Sequence, residues 1–230
     1  PMSRLLQGDV GSGKTVVATA ALMMAAANGC QGALMAPTEI LAEQHFNTIS
    51  AILSRLGLCE EESGLLLSFP SLPPYPFVMA LLTGSLKAGE KRRIQKLALE
   101  GGVHLVIGTH ALIQKGVEFQ KLGLVVVDEQ HRFGLRQRMI LKEKGSYPDT
   151  LIMTATPIPR TLSLTLYGDL EVSVLDELPA GRAGTRTMVL GPDGRKEAYE
   201  LMRAELTAGR QAFVVCPLVD TSPAVEAKAA

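Results

Sequence analysis

A glycine-rich segment near the start of the chain has the residue types and spacing needed to hold phosphate. Residues 8–15 read GDVGSGKT and fit the pattern G-x-x-x-x-G-K-[ST]. Glycines let the backbone fold round an anion with its amides directed inward, and the start of the following helix adds partial positive charge. Lys14 is suited to the β- and γ-phosphates of ATP, and the Thr15 hydroxyl to Mg²⁺. The predicted nucleotide-binding residues are Gly8, Asp9, Val10, Gly11, Ser12, Gly13, Lys14 and Thr15.

Two carboxylates follow an apolar segment about 120 residues later, where LGLVVVD ends at Asp128 and Glu129 comes next. We predict that Asp128 binds Mg²⁺ and that Glu129 orients or deprotonates the attacking water. Alone, this pattern is weak, because any buried strand can end in a charged turn. Its position about 120 residues after the glycine-rich segment makes the pattern a strong indication of a catalytic site. The predicted catalytic residues are Lys14, Asp128, Glu129 and His131.

Small hydroxyl residues follow the next predicted strand in the segment TATP. We expect them to bond to the turn after Asp128 and to report the state of the γ-phosphate. The alternative is a strand end that only caps the helix after it. His131 is either a second coupling residue or an ordinary histidine whose hydrogen bonds are satisfied within the protein, and we favour the coupling role. The predicted coupling residues are Gln130, His131, Thr154, Ala155 and Thr156.

These side chains require a sheet whose strands end at a common edge. Short apolar runs alternate with helical segments, which predicts an α/β fold with a mainly parallel, buried sheet. Residues 58–76 interrupt the pattern with an acidic run and several prolines, and we interpret them as an insertion-like surface excursion that packs back through Phe69 and Tyr75. The predicted strands are MSRLLQ, GALMAP, FVMALL, VHLVIG, LGLVVVD and TLIMTA.

The pattern also predicts more than one domain. Residues 1–175 form the first domain, and DELPAGRAG at 176–184 is a linker. After it, TRTMVL, a helix at 193–208 and QAFVVCPLV begin a second βαβ unit in residues 185–230. We therefore interpret the sequence as part of a larger protein.

Composition sets limits on partners and location. The 23 basic and 23 acidic side chains give no net charge, so contact with a polyanion must rely on local groups. Three widely spaced cysteines indicate neither a disulfide framework nor a zinc site. No apolar run is long enough to cross a bilayer. We expect a cytoplasmic protein without a membrane partner.

The order of these motifs resembles that of superfamily 2 helicases, in the segments GDVGSGKT, APTEILAEQH, LLTGSLK, IGTHALIQ, DEQHRFG and TATPIPRTL. Their wording is most similar to branch-migrating DNA helicases. The related transcription-repair coupling translocases typically have DEEH where this chain has Gln130. The resemblance implies a RecA-like P-loop NTPase lobe followed by the start of a second RecA-like lobe.

In this family, loops that follow the motif strands hold the phosphate backbone of one DNA strand. Small hydroxyls and backbone amides can do so without reading bases. Taken alone, each segment is compatible with an ordinary turn. The nearby basic residues Lys87, Lys91, Arg92, Arg93 and Lys96 are either a DNA track or a solvated helix face. The residues that the resemblance assigns to DNA are Pro37, Thr38, Thr83, Gly84, Ser85, Thr109 and His110.

The resemblance implies an ATP-dependent helicase that acts on branched double-stranded DNA, namely replication forks and Holliday junctions. It implies a wedge domain and a second helicase domain elsewhere in the same protein. Because the family's transition-state arginines belong to that second domain, we expect residues 1–230 alone to hydrolyse almost no ATP. The alternatives are a transcription-repair coupling translocase and a nucleotide switch without motor function.

Overall fold

The computed structural model describes residues 1–113, 116–128, 148–156, 170–177 and 186–215. The chain forms two units, Pro1–Gly181 and Arg182–Ala230, and each is described by itself. Within the described ranges, no helix combines the length and apolar character needed to cross a membrane.

The first unit is built on one nine-stranded sheet with strand order β3-β4-β5-β6-β2-β7-β8-β1-β9. Its strands are β1 (Ser3–Gly8), β2 (Gln31–Met35), β3 (Glu60–Ser63), β4 (Leu66–Phe69), β5 (Phe77–Leu82), β6 (Leu105–Gly108), β7 (Leu122–Asp128), β8 (Asp149–Thr154) and β9 (Glu171–Leu175). Its helices are α1 (Lys14–Ala27), α2 (Glu39–Leu53) and α3 (Ala88–Glu100), with a 3₁₀ helix at His110–Ile113.

The strands from β5 to β9 in the sheet order pair in parallel, and helices cover both faces of the sheet. Leu34 of β2 packs in the cluster that contains Leu22 of α1 and Phe46 of α2. Its neighbour Met35 packs in the opposite cluster with Ile94 of α3, because successive strand side chains point to opposite faces. The predicted α/β fold with a mainly parallel sheet is confirmed, and all six predicted strands are present.

The interpretation of residues 58–76 as a loose excursion is wrong. β3 and β4 form an antiparallel hairpin, and β4 also pairs antiparallel with β5. Phe69 is fully buried beside Phe77 and packs this segment against the sheet, as expected. Tyr75 is 75% exposed and does not contribute to that packing. The acidic run that indicated a loop forms the exposed edge strand, where charges protect against unwanted pairing.

Strand β9 was not among the predicted strands. It pairs in parallel with β1, and Leu175 lies opposite Gly8. Its alternating Val172 and Val174 are the sequence signal for this strand, but both side chains are exposed rather than buried.

The second unit contains α4 (Arg195–Thr207), preceded by a 3₁₀ turn at Pro192–Gly194. The helix predicted at 193–208 is thereby confirmed. The strands predicted on either side of it are wrong for the described residues 186–190 and 211–215, which are not strands. A strand needs a neighbouring strand for its backbone hydrogen bonds, and the described part of this unit supplies none. That this unit begins a second RecA-like lobe stays a prediction.

Candidate nucleotide site and DNA-facing edge

The register of the sheet brings the three nucleotide motifs together at one edge. Gln7 of β1 lies opposite Thr154 of β8, and Asp128 of β7 lies opposite Met153 of β8. Because these strands are parallel neighbours, the glycine-rich loop, the TAT segment and Asp128 all emerge at the same carboxyl end. Ligands bind at this end in open α/β sheets.

The glycine-rich loop is closed by local constraints that its sequence supplies. Gly11 and Gly13 have φ angles of 81° and 95°, a backbone region that other residues rarely adopt. The Ser12 amide donates to the Asp9 carbonyl over 3.1 Å and closes a turn. A Cβ atom on Gly8 would lie 2.5 Å from Ser12 Oγ, so only glycine fits there. These local constraints therefore set the curvature of the loop.

Lys14 and Ser12 make this loop suited to phosphate. Lys14 Nζ donates to the carbonyls of Gly8 and Asp9, each over 2.8 Å. An ammonium group has three donors, so one is available to a phosphate oxygen. Ser12 Oγ is buried and has no hydrogen-bond partner among the described residues. A buried hydroxyl without a partner is costly, and a nucleotide phosphate oxygen would satisfy it. The residues present thus fit the phosphates of ATP.

Asp128 lies at the end of β7 and is 9% exposed. His45 Nε2 lies 2.7 Å from Asp128 Oδ2. His45 was not among the predicted site residues, although its sequence position contains a signal. It lies three residues after Ala42 and four before Ile49, both buried on the apolar face of α2. A histidine within such a face needs a polar partner, and Asp128 is that partner.

The TAT segment forms a compact hydroxyl turn. Thr154 Oγ1 and Thr156 Oγ1 lie 2.9 Å apart, and the Thr156 amide donates to Thr154 Oγ1 over 3.2 Å. These hydroxyls therefore bond to each other in the described part of the chain. Three predicted residues, Glu129, Gln130 and His131, lie outside the described residues. The coupling role of this segment stays a prediction.

The segments assigned to DNA lie on neighbouring strands in the other half of the same edge. Gly108 of β6 lies opposite both Met35 of β2 and Leu82 of β5. The loops that follow these strands are therefore adjacent, and they contain Pro37, Thr38, Thr83, Gly84, Ser85, Thr109 and His110.

Most threonine hydroxyls in these loops are buried or bonded within their own loop and do not face solvent. Thr83 and Thr109 are 2% and 1% exposed, and Thr109 Oγ1 accepts from the Ala111 amide over 3.5 Å. Thr38 Oγ1 caps α2 by accepting from the Leu41 amide over 3.3 Å, which leaves its own hydroxyl hydrogen free to donate. Gly84 and Ser85 are exposed. We expect Gly84, Ser85 and the Thr38 hydroxyl to contribute most of the contact with DNA phosphates.

Glu39 holds the loop at residues 83–85, which we call the TGS loop. Its Oε1 accepts from the Ser85 amide over 2.9 Å. Hydrogen bonding to Ser85 lowers the pKa of the Glu39 carboxyl below its usual value, so the group is ionised at neutral pH. From the other side, Lys91 Nζ donates to the Gly84 carbonyl over 2.6 Å. The TGS loop is thus held on one side by the Glu39 carboxylate and on the other by the Lys91 ammonium group.

The basic residues on α3 are partly engaged within the protein. Arg93 pairs with Glu62 of the hairpin at 2.9 Å, and Lys96 lies 3.8 Å from Glu100. Lys91 is occupied by the TGS loop. These contacts favour a solvated helix face for much of the basic cluster, and leave a DNA track through Lys87 and Arg92 as a prediction.

Replacing Glu39 with glutamine is expected to strengthen DNA binding by the full-length protein about two- to fivefold, the scale of one exposed charge interaction. The change removes a negative charge beside the proposed phosphate contacts, while the amide oxygen still accepts from Ser85. Fluorescence anisotropy with labelled forked DNA at two salt concentrations measures the effect. Glu43→Gln, an exposed position one turn later on α2, is the matched control. Equal or weaker binding by Glu39→Gln than by Glu43→Gln would place the DNA path elsewhere.

Comparison with known proteins identifies the family of the chain. The DEAD/DEAH box helicase family model matches residues 2–165. RecG of Streptococcus pneumoniae is 49% identical over 99% of the chain, and RecG of Synechocystis is 50% identical over 100% of it. The chain spans 31% and 25% of the lengths of these two proteins.

Solved structures of helicases share the fold of this chain. A structure of RecG bound to a three-way DNA junction has a TM-score of 0.70 and 43% identity, covering 95% of this chain and 27% of the other. The helicase MrfA, at 18% identity, has a TM-score of 0.59 over 94% of this chain and 34% of its own, which shows a shared fold. The chain belongs to the DEAD/DEAH box helicase family, as an ATP-binding helicase domain that is similar to RecG along its whole length.

Proposed function

We propose that this chain is the ATP-driven motor lobe of a DNA helicase of RecG type, which remodels stalled replication forks and branch-migrates Holliday junctions. One observation carries the proposal. The segments assigned to the nucleotide follow β7, β8 and β1, which we call the nucleotide half of the sheet edge, and those assigned to DNA follow β5, β6 and β2, which we call the DNA half. The two halves meet where β2 pairs with β7. Asp128 at the end of β7 is one strand spacing from the nearest loop of the DNA half, so a change at the Mg²⁺ ligand has a short route to that loop.

At the nucleotide half, the backbone amides of Gly11 and of residues 13–15, at the start of α1, hold the phosphates. Lys14 donates its remaining N–H to a phosphate oxygen, and Ser12 Oγ gains the partner that it lacks among the described residues. Thr15 and Asp128 are the residues that would hold Mg²⁺, which when bound neutralises phosphate charge. Glu129, directly after Asp128, orients or deprotonates the attacking water.

At the DNA half, the exposed TGS loop with the Ser85 hydroxyl, together with the Thr38 hydroxyl at the start of α2, contacts the phosphate backbone without reading bases. This mode suits a motor that moves over any sequence. The turn after Asp128, with Gln130 and His131, and the TAT segment would transmit the state of the γ-phosphate. The two sites would therefore alternate between tight and loose contact during turnover.

The rest of the full-length protein would supply the wedge domain that selects branched DNA and the second helicase domain with its catalytic arginines. RecG in the solved complex is bound to a three-way DNA junction, which supports branched DNA as the substrate. Because the proposed substrate is chromosomal DNA and the sequence indicates no membrane partner, we also propose a cytoplasmic location.

DNA-stimulated ATP turnover tests the proposal against a nucleotide switch without motor function. Steady-state hydrolysis by the full-length protein should rise when forked DNA is added and should exceed the rate with unbranched duplex of equal length. A rate that is the same with forked DNA, with duplex and without DNA would support the switch instead.

A further inference from the structure

The contact between His45 and Asp128 crosses the boundary between the two halves of the edge. His45 lies on α2, which follows β2 of the DNA half, and Asp128 ends β7 of the nucleotide half. Their side chains are only 11% and 13% exposed, so water screens the interaction weakly. The pair is therefore a direct link between a helix of the DNA half and the carboxylate assigned to Mg²⁺.

The direction of this hydrogen bond follows from the chemistry of the two groups. An ionised carboxylate has no proton to donate, so His45 Nε2 donates to Asp128 Oδ2. Among the described residues, the Asp128 side chain bonds to His45 through Oδ2. This bond restrains the carboxylate, and Oδ1 is the oxygen that could face a cation. Donors of this kind orient metal-binding carboxylates in many proteins.

Helix α2 makes the same contact sensitive to the DNA half. Its first residue, Glu39, holds the Ser85 amide, and Thr38 caps it. His45 lies six residues after Glu39, about 9 Å along a rigid helix. The apolar face packs α2 against the sheet through Ala42, Phe46, Ile49 and Leu53. The contact with the TGS loop and the contact with Asp128 therefore lie on one rigid helix, less than two turns apart.

We propose that His45 is a positioning residue for the metal-binding carboxylate of Asp128, and that α2 makes this positioning dependent on contact between the TGS loop and DNA. The inference rests on the proposed function, because it assumes an ATP·Mg site at Asp128. It goes beyond that function by assigning a second route between the two sites, separate from the TAT segment. His45 does not touch the reacting atoms in this route and acts through Asp128.

The test uses variants of the full-length protein that differ in the donor at position 45. His45→Leu removes the donor, and His45→Asn keeps a polar side chain that is too short to reach Asp128. His45→Gln keeps an N–H at nearly the same distance along the side chain. Asn47→Leu, an exposed position on the same helix, controls for the loss of a polar group from α2.

The primary readout is the Mg²⁺ concentration that gives half-maximal binding of a fluorescent, non-hydrolysable ATP analogue. His45→Leu and His45→Asn should raise this concentration about tenfold, the lower end of the range for losing a residue that orients a metal ligand. His45→Gln and Asn47→Leu should stay within about twofold of the parent, a difference below that range. Binding of the analogue without Mg²⁺ should be equal in all variants, because the glycine-rich loop does not use His45.

The second readout adds forked DNA. In the parent protein DNA should shift the half-saturating Mg²⁺ concentration, because linked sites affect each other reciprocally. In His45→Asn the shift should be lost although the DNA still binds. The inference would be overturned if His45→Leu and His45→Asn both had the Mg²⁺ requirement of the parent protein. It would also be overturned if His45→Gln had the same raised Mg²⁺ requirement as His45→Leu. If the parent protein bound no nucleotide at all, the proposed function itself would fall.

Discussion

Glu129→Gln in the full-length protein is expected to keep ATP binding and to lower turnover by roughly 10²-fold or more. Glu129 lies outside the described residues, but it directly follows Asp128 at the end of β7. Glutamine has nearly the same size and keeps an oxygen, yet it cannot accept the proton from the attacking water. The loss should therefore appear in the chemical step and not in the affinity for ATP.

Two measurements separate these effects: equilibrium binding of a fluorescent ATP analogue and steady-state hydrolysis with saturating forked DNA. Glu118→Gln is a suitable control, because this exposed carboxylate precedes the opposite end of β7. It should behave as the parent protein does. Hydrolysis by Glu129→Gln near the parental rate would move the catalytic role to another residue.

Lys14→Ala is expected to weaken ATP binding about 10- to 100-fold, because a hydrogen bond from a charged group contributes about 1.5 to 3 kcal/mol. The γ- and β-phosphates lose their cation. The glycine-rich loop also loses both bonds that Lys14 makes to Gly8 and Asp9. Affinity for ADP should fall as well, since the loop itself is less ordered.

Isothermal titration of the full-length protein with ATP and Mg²⁺ measures this change. Lys121→Ala removes an exposed lysine just before β7 and should leave the affinity unchanged. Equal ATP affinity in Lys14→Ala and the parent protein would contradict the assignment of residues 8–15 to phosphate binding.

The parallel strands other than β9 could be predicted from the sequence, because each is a largely buried apolar run that is separated from the next by a helical segment. The hairpin at 60–69 could not, because half of it is an exposed edge strand whose residues are acidic. The apolar Leu66, Leu67 and Phe69 were the only indication of pairing, and flanking prolines suggested a loop.

Part of the candidate site could be predicted from the sequence, because motifs that follow parallel strands lie at one edge of the sheet. Motif spacing predicts Lys14 and Asp128 at the same edge of a parallel sheet, and the strands that precede them, β1 and β7, both pair in parallel with β8. Whether a hydroxyl faces solvent or its own loop depends on packing, so the burial of Thr83 and Thr109 could not be predicted. The partner of His45 could not be predicted, because it lies on a strand 83 residues away in the sequence.

The central claim is that ATP hydrolysis at this site drives movement on branched DNA. Its most direct test is remodelling of a fluorescently labelled three-way junction by the full-length protein, followed by native gel electrophoresis. We predict conversion to separated arms with ATP and Mg²⁺, and none with a non-hydrolysable analogue or with Lys14→Ala. Hydrolysis of ATP that leaves the junction unchanged, or equal conversion by Lys14→Ala, would contradict the account.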